Sequence, residues 1–150
     1  MAFGEVSTVI RRPAEEILGF IMDVEAYRVV DPRLKTIKWV RRGHNETVFR
    51  FRPRLMGLPG PMTTQRVVLT PGERVDISGE PSAMDRVAVF EALLECTADA
   101  GGTRVRRRLE FRFARPLAWL LDPLFTRWLA KDIAAELGRL KAHLERESRP

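Results

Sequence analysis

The feature of this sequence that most constrains its fold is a long helix-forming stretch near the C-terminal end. One apolar stripe runs along it at gaps of four, four, three and four residues, through Leu129, Ile133, Leu137, Leu140 and Leu144. Such spacing is typical of one buried face of an α-helix. A stripe of large aliphatic side chains needs an apolar surface to cover it, and the rest of the chain must provide that surface.

The segment that leads into this stripe is apolar on nearly every side. Within residues 116–130 only Asp122, Thr126 and Arg127 are not apolar. We predict that Asp122 caps the helix and that Pro123 occupies its first turn. A membrane span is excluded, because the chain has no uncharged apolar run of about 18 residues. A fully buried helix and a wall around an apolar ligand both remain as alternatives.

Alternating patterns elsewhere predict a sheet of sequential antiparallel strands separated by short turns. The predicted strands are residues 6–12, 34–42, 47–55, 62–69, 74–78, 86–98 and 103–113. Two short helices follow the first strand: one begins at Pro13, and the other is capped by Asp23 and ends before Pro32. This order predicts an α+β fold in a single domain of residues 1–150.

The last two strands predict which side chains face the interior. If the turn at residues 99–102 joins them directly, Leu94 faces Arg107 and Phe90 faces Phe111. A register shift of two residues leaves both faces unchanged, because the side-chain period is two. One face is then almost wholly apolar while the other carries charges, so the apolar face is predicted to be the inner one.

Arg107 is the exception on that inner face, because a guanidinium among apolar side chains needs a partner. A carboxylate, phosphate or carbonyl group of a ligand would satisfy it. The alternatives are an internal acid, with Asp76 as one candidate, and a side chain that reaches the rim of the sheet. The sequence does not choose among the three.

The strands at residues 62–69 and 74–78 can be oriented in two ways. With a two-residue loop there are two alternatives. Either Gln65 and Val67 share a face with Asp76 and Ser78, or Arg66 and Val68 share one with Val75 and Ile77. We favour the orientation that turns Gln65 and Val67 inward. Gln65 is then a polar group on the inner face, and a surface amide is the alternative.

Three stretches carry a resemblance to a known superfamily: STVIRRPAEEILGFIMDVEAYRVVDP at residues 7–32, GGTRVRRRLEF at 101–111 and PLAWLLDPLFTRWLAKDIAAELGRLKAHLE at 116–145. The chain resembles the START-like, or SRPBCC, superfamily, which includes polyketide cyclase/dehydrase and lipid-transport proteins. The resemblance implies a helix-grip fold, in which a curved antiparallel seven-stranded sheet wraps around a long C-terminal helix. It also implies an apolar cavity between that sheet and that helix.

The predicted inner faces and the implied cavity together define a set of candidate ligand-binding residues. Most of them are aromatic or aliphatic side chains of the sheet, and the last four belong to the segment that we expect to form the floor and mouth of the cavity. The set is Trp39, Phe49, Phe51, Gln65, Phe90, Leu94, Arg107, Leu109, Phe111, Trp119, Leu124, Phe125 and Trp128. Arg107 is expected to fix the orientation of the ligand.

The residues offer little for catalysis or metal binding. His44 and His143 have no acid, cysteine or second histidine at ligand spacing, so we predict no metal site and no cofactor. Nucleotide-binding and nucleophile motifs are absent from the sequence. Cys96 is predicted to be an inert inward-facing thiol. We assign no catalytic residue, because geometry pairs no acid with a base.

Charge and cysteine content set the expected partners and location. The net charge is +6, and the basic residues are dispersed without an aromatic–basic signature, so we predict no nucleic-acid binding. The charge permits weak attraction to an anionic membrane surface. A single cysteine allows no internal disulfide, which favours a cytoplasmic location. The oligomeric state cannot be read from the sequence.

These observations favour a protein that encloses a lipid, a polyketide-like or a quinone-like small molecule as a carrier or sensor. The first alternative is a polyketide cyclase or dehydratase that uses the same cavity, with proton transfer open only to Tyr27, Gln65, Asp76, Asp85 and Arg107. The second alternative is a regulatory module whose residues 116–130 contact a membrane or a protein partner.

Overall fold

The computed structural model describes residues 1–147, apart from the side chains of Lys35, Met84 and Glu147. In chain order its elements are β1 (Ala2–Ile10), α1 (Ala14–Met22), α2 (Val24–Tyr27), β2 (Leu34–Gly43), β3 (Glu46–Leu55), β4 (Leu58–Pro59), β5 (Thr63–Thr70), β6 (Arg74–Gly79), a 3₁₀ helix (Ala83–Arg86), β7 (Ala88–Asp99), β8 (Gly102–Phe113) and α3 (Leu117–Glu147). This order confirms the predicted α+β arrangement, with two short helices after the first strand.

All strand pairings in the sheet are antiparallel. The strand order is β1-β8-β7-β6-β5-β3-β2, and the two-residue β4 pairs with β3 beside this path. The continuous path is the predicted seven-stranded sheet of a helix-grip fold, and β4 is one short addition to it. Because β1 and β8 are neighbours, the chain returns to its first strand before it enters the long helix.

The predicted register of β7 and β8 is confirmed. Leu94 lies opposite Arg107, and Phe90 lies opposite Phe111. On the outer face of this pair, Glu95 lies opposite Arg106, and both are half-buried. The alternation of apolar and charged residues therefore identified the inner face of these two strands correctly.

The turn between β5 and β6 differs from the expected two-residue loop. Thr70 pairs with Arg74, so three residues lie between them. Gly72 takes a positive φ of 73° in this turn, a conformation that glycine adopts without steric cost. A loop with an odd number of residues offsets β6 by one position and exchanges its two faces relative to a two-residue loop.

The inward orientation of Gln65 and Val67 is confirmed, but the face of β6 that they share is not the predicted one. Val67 is 2% exposed and lies opposite Ile77, which is also buried. Asp76 and Ser78 are exposed on the outer face. The expectation that these two share a face with Gln65 is wrong, because the three-residue turn shifts β6.

Strand β2 departs from simple alternation around Ile37. Register shifts occur on both sides of Ile37, which lies opposite Phe51, and Trp39 consequently lies opposite Arg50 on the outer face. The guanidinium of Arg41 stacks over the Trp39 ring, 4.8 Å from its centroid. The inner-face position predicted for Trp39 is therefore wrong, because these irregularities move its side chain to the other side of the sheet.

Helix α3 begins earlier than predicted. It starts at Leu117, and Pro123 lies inside it rather than in its first turn. Asp122 pairs with the amino group of Met1 instead of capping the helix. Pro123 lacks the N–H that would donate to the carbonyl of Trp119, so this turn has one backbone hydrogen bond fewer. The predicted cap at Asp122 is wrong, because helix-forming residues before it already form a turn.

The apolar stripe of α3 packs on one side of the sheet. Leu129, Ile133 and Leu140 have no exposed surface. Gly4 lets β1 approach the helix closely, because a Cβ atom at this position would lie 2.9 Å from both Leu129 Cβ and Ile133 Cδ1. The strands that α3 contacts most are β1 and β8. Space for a cavity is consequently left between the start of α3 and the strands beyond β8.

Candidate ligand cavity

A cavity of about 260 Å³ lies between the inner face of the sheet and the start of α3. Its wall is formed by strands β3, β5, β6, β7 and β8, by the segment before β2, and by Phe125 of α3. The volume is just below the range of about 300–1,000 Å³ that is typical of pockets for drug-sized ligands. The space is therefore large enough for a compact small molecule.

Five phenylalanines make most of the wall apolar: Phe51, Phe90, Phe111, Phe113 and Phe125. Phe125 meets two of these rings edge to face, with its centroid 5.1 Å from that of Phe111 and 4.8 Å from that of Phe113. Aromatic pairs of this geometry contribute about 0.5–1.5 kcal/mol each beyond the area that they bury. Phe125 thus attaches the start of α3 to β8.

Polar groups at the cavity wall differ in their exposure. Asp31 and Arg33 are only 4% and 7% exposed, which places them at the deep end. Ser82 and Asp85 are exposed and mark the mouth. Gln65 adds a half-buried amide from β5. The cavity therefore has a buried ion pair at one end and an open polar rim at the other.

The deep-end pair belongs to a buried network of charges. Arg33 Nε donates to Asp31 Oδ1 at 2.9 Å, and Arg33 Nη2 donates to the carboxylate of Glu136. Asp132 Oδ2 lies 3.4 Å from Arg33 Nη1. A single guanidinium thus contacts three carboxylates, and it ties the segment before β2 to α3.

Arg107 reaches the same network from the sheet. Its Nε lies 3.2 Å from Glu136 Oε2, and the hydroxyl of Tyr27 donates to that same carboxylate. Glu136 is fully buried, and Arg107 is 3% exposed. The internal acid that pairs with Arg107 is therefore Glu136. Asp76 is wrong as the candidate partner, because it is exposed on the outer face and pairs with Arg74.

The network shifts the pKa values of its members in different directions. Burial acts to raise the pKa of Asp31, but the charge and hydrogen bonds of Arg33 outweigh it and hold that pKa below its ordinary value. Burial raises the pKa of Asp132, and the charge of Asp31 adds to the rise. Burial, followed by the charge of Glu136, raises the pKa of Tyr27 well above its ordinary value. At neutral pH Asp31 is ionised and Tyr27 is a neutral hydrogen-bond donor.

One donor of the network belongs to a residue at the cavity wall and makes no hydrogen bond, although it is ion-paired with Asp132. Within the described part of the chain, Arg33 Nη1 and Arg107 Nη1 are buried without a hydrogen-bond partner. Arg33 lines the cavity, whereas Arg107 does not. A buried donor without an acceptor costs about 1–3 kcal/mol. An oxygen atom of a bound molecule would therefore be stabilised next to Arg33.

The structure brings five of the candidate ligand-binding residues together at the cavity wall: Phe51, Gln65, Phe90, Phe111 and Phe125. Four others are buried in the core without lining the cavity: Phe49, Leu94, Arg107 and Leu109. Trp128 packs edge to face on Phe125, with 5.7 Å between ring centroids. Inner-face position therefore located the region of the cavity but not its boundary.

Trp39, Trp119 and Leu124 do not line the cavity. Trp39 is on the outer face of the sheet, Trp119 is 87% exposed and Leu124 is 52% exposed. The expectation that Trp119 and Leu124 form the floor and mouth needs correction. Since Phe125 and Leu129 are the residues that turn inward, helical periodicity directs Trp119 and Leu124 away from the cavity.

Four residues of the buried network were not among the candidates from the sequence: Asp31, Arg33, Asp132 and Glu136. A signal for Glu136 was present, because it lies three residues after Ile133 and four before Leu140 and so falls on the buried stripe. A charged residue at such a position indicates a buried partner. For the other three acids and bases the sequence carries no comparable pattern.

Outside the cavity, the described residues show little reactive chemistry. Residues 1–147 contain no group of three or more His, Cys, Asp or Glu side chains that could hold a metal ion. Burial raises the pKa of Cys96 to about 11, with a smaller contribution from nearby acids, so its thiol stays protonated at neutral pH. Among the helices of this same part of the chain, none has the length and apolar character to cross a bilayer.

The fold and the cavity define a class of protein: a domain in which an antiparallel sheet and a C-terminal helix enclose an apolar space. Within this class, the chain belongs to the polyketide cyclase/dehydrase and lipid transport family, whose model matches residues 1–145. A comparison with curated proteins finds no match.

Solved structures share the fold at low sequence identity. TTHA0849 from Thermus thermophilus has a TM-score of 0.80 and 17% identity, over 98% of this chain and 99% of that one. The Zhui aromatase/cyclase from a Streptomyces species has a TM-score of 0.75 and 14% identity, over 98% and 95%. A START superfamily protein from Mycobacterium smegmatis has a TM-score of 0.75 and 16% identity, over 99% and 100%. These likenesses establish the fold.

Proposed function

We propose that this protein binds a hydrophobic small molecule in the cavity between its sheet and α3, as a carrier or sensor. The observation that carries the proposal is the space of about 260 Å³ whose wall combines five phenylalanines with a buried arginine. Membership of a family that includes lipid transport supports it. The phenylalanines supply an apolar surface, and Arg33 supplies one directed polar contact.

Burial of apolar surface provides the affinity in this proposal. A ligand that transfers about 200 Å² of apolar surface from water gains about 5 kcal/mol before the entropic costs of binding. The small volume of the cavity favours a compact guest, such as a fused aromatic ring system or one short chain, over a lipid with two acyl chains.

Arg33 replaces Arg107 as the proposed orienting residue. Arg107 pairs with Glu136 and does not line the cavity. Arg33 does line it, and its Nη1 makes no hydrogen bond within residues 1–147, although Asp132 Oδ2 lies 3.4 Å away as an ion-pair partner. A carbonyl, phenolate or carboxylate oxygen would accept a hydrogen bond at this position. The ligand class that we infer is an apolar molecule with an acceptor oxygen, which includes polyketide-like and quinone-like compounds.

Two neighbouring positions in β6 provide a matched test of the cavity. Gly79 lines the cavity and lies opposite Gln65, and a Cβ atom added to it meets nothing within 4 Å. Gly79→Leu should therefore fill the cavity without a clash. Ser78 is exposed and points to the opposite face, so Ser78→Leu adds the same side chain outside the cavity.

The measurement is titration of each protein with 1-aminoanthracene, an apolar fluorescent probe, together with native mass spectrometry of the purified protein. We expect saturable one-site binding that Gly79→Leu weakens at least about tenfold and Ser78→Leu leaves unchanged. Equal binding by both variants would show that the probe binds elsewhere, and non-saturable binding would remove the support for a defined site.

A second candidate function is that of a polyketide cyclase. The observation in its favour is the likeness to the Zhui aromatase/cyclase together with the name of the family. Against it, the buried carboxylate at the cavity wall, Asp31, has a lowered pKa, which makes it a poor general acid at neutral pH and a weak base. Incubation with a poly-β-ketone tests this function: cyclised products that Gly79→Leu abolishes and Ser78→Leu retains would establish catalysis in the cavity.

A further inference from the structure

The outer side of α3 carries an apolar and basic stripe that the cavity does not explain. Its members follow one another at gaps of three, four, three and four residues: Leu117, Leu120, Leu124, Arg127 and Lys131. This spacing places all five on one face of the helix. All five are exposed, with Leu120 at 65% and Leu124 at 52%. We call this surface the α3 stripe.

More apolar surface lies beside the α3 stripe. Trp119 is 87% exposed, and Pro116 and Pro123 are also exposed. Exposed leucines are normal as isolated residues, but a contiguous group of them with a tryptophan marks an interaction surface.

The charges around the α3 stripe are basic. From residue 115 to residue 131 the sequence contains one acid, Asp122, which pairs with the amino group of the first residue. The next acid, Asp132, turns inward to the buried network. Arg115, Arg127 and Lys131 are exposed. The surface therefore presents apolar side chains and cations with no exposed acid among them.

We propose that the α3 stripe is a docking surface for an anionic lipid bilayer. Leu117, Leu120 and Leu124, with Trp119 beside them, enter the boundary between headgroups and acyl chains, and Arg127 and Lys131 contact anionic headgroups. A second copy of this chain is a poorer occupant, because it would bring the same acid-free basic surface against itself. The proposal concerns the outer side of α3 and does not depend on what the cavity holds.

The test is co-sedimentation with vesicles of phosphatidylcholine alone or of phosphatidylcholine enriched in phosphatidylserine. The wild-type protein should bind the phosphatidylserine vesicles at least about tenfold more strongly than the neutral ones. Leu120→Ser/Leu124→Ser and Arg127→Gln/Lys131→Gln should each weaken that binding at least about tenfold. Tryptophan fluorescence should shift to shorter wavelength when the wild-type protein binds, and Trp119→Phe should lose this shift, because Trp119 is 87% exposed in the free protein.

Matched controls separate the stripe from general effects of hydrophobicity and charge. Val29→Ser removes an equally exposed apolar side chain, 68% exposed, that lies against the C-terminal half of α3 near Arg139. Arg42→Gln/Arg74→Gln removes two exposed cations from the sheet. Both controls, like Gly79→Leu, should bind the anionic vesicles within about twofold of the wild type.

Three results would overturn the proposal. One is no binding to the phosphatidylserine vesicles, and another is equal binding to neutral and anionic vesicles. The third is a dimer in sedimentation velocity that Leu120→Ser/Leu124→Ser dissociates, because the stripe would then be covered by a second copy. Gly79→Leu changes the cavity and leaves the α3 stripe intact. If this variant still binds the vesicles, membrane binding does not depend on ligand binding, and the two proposals can fail independently.

Discussion

At the scale of single residues, Glu136 connects three parts of the molecule. Its carboxylate contacts Arg33 from the segment before β2, Arg107 from β8 and Tyr27 from α2. A fully buried carboxylate is tolerated only when cations and hydrogen-bond donors satisfy it, and removal of one partner leaves an uncompensated charge. The network therefore makes the positions of the helix, the sheet and the deep end of the cavity depend on one another.

Replacement of Arg107 tests this dependence. Arg107→Met is expected to lower the free energy of unfolding by about 3–5 kcal/mol, because Glu136 loses one of its two cations. Glu136→Gln should also destabilise, and the double variant should lose clearly less than the sum of the two. Urea unfolding at neutral pH measures all three. Arg106→Met, on the outer face, should stay within about 1 kcal/mol. Additive losses would contradict the coupling.

The two aspartates of the network should respond to pH in opposite ways. Since the pKa of Asp31 is lowered by folding, its ionised form stabilises the fold above pH 3.8, and this contribution is lost as the pH falls through the lower folded pKa. Asp31→Asn should thus cost about 3 kcal/mol at neutral pH and less at about pH 3.

Asp132 provides the comparison, because its pKa is raised by folding. Its ionisation opposes folding as the pH rises above the ordinary value of 3.8, so Asp132→Asn should be neutral or stabilising at neutral pH. Urea unfolding of both variants at neutral pH and at about pH 3 is the measurement. A loss of stability in Asp132→Asn equal to that in Asp31→Asn would contradict the assignment.

At the scale of elements, the close contact of β1 with α3 sets where the helix lies on the sheet. The contact is possible because residue 4 of β1 is a glycine. On α3 the residues that contact it are Leu129 and Ile133. With α3 held against β1 and β8, Phe125 and Trp128 are the half-buried residues that its first turns pack against the core of the described chain. The position of one glycine thus contributes to the space that becomes the cavity.

Gly4→Ala tests this contact. The added methyl group would lie 2.9 Å from two side-chain atoms of α3, so the unfolding free energy should fall by about 1–3 kcal/mol. Gly138→Ala is the control in the helix itself, where a Cβ atom meets nothing within 4 Å, and it should stabilise by up to about 1 kcal/mol. Thermal unfolding compares the two. A neutral Gly4→Ala would show that β1 and α3 can separate without cost.

At the scale of the whole molecule, binding in the cavity should be visible as stability. A ligand that binds only the folded state adds about 2.7 kcal/mol at a free concentration of about 100 times its Kd. For a chain of this size the expected rise in Tm is about 5–10 °C with saturating 1-aminoanthracene. Gly79→Leu should show little rise and Ser78→Leu the full one. No rise in the wild type would contradict a ligand enclosed by the fold.

Much of the fold follows from local periodicity. The register of β7 and β8, the inner face of both strands and the buried stripe of α3 were predicted from residue spacing, because side chains repeat every two residues in a strand and every 3.6 in a helix. Four cavity residues of the sheet were predicted from strand faces, and Phe125 was predicted from the cavity that the family resemblance implies. The single domain, the cytoplasmic location and the absence of nucleic-acid binding stay predictions.

The sequence by itself determined the inner face of β7 and β8 and the buried stripe of α3, since burial there follows the period of each element. Only the tertiary structure decided which buried groups meet. Arg107 and Glu136 are paired by the position of α3 on β8, Arg33 enters the cavity from a loop, and irregularities in β2 turn Trp39 outward. Contacts between distant segments depend on the path of the whole chain, and no local period carries that information.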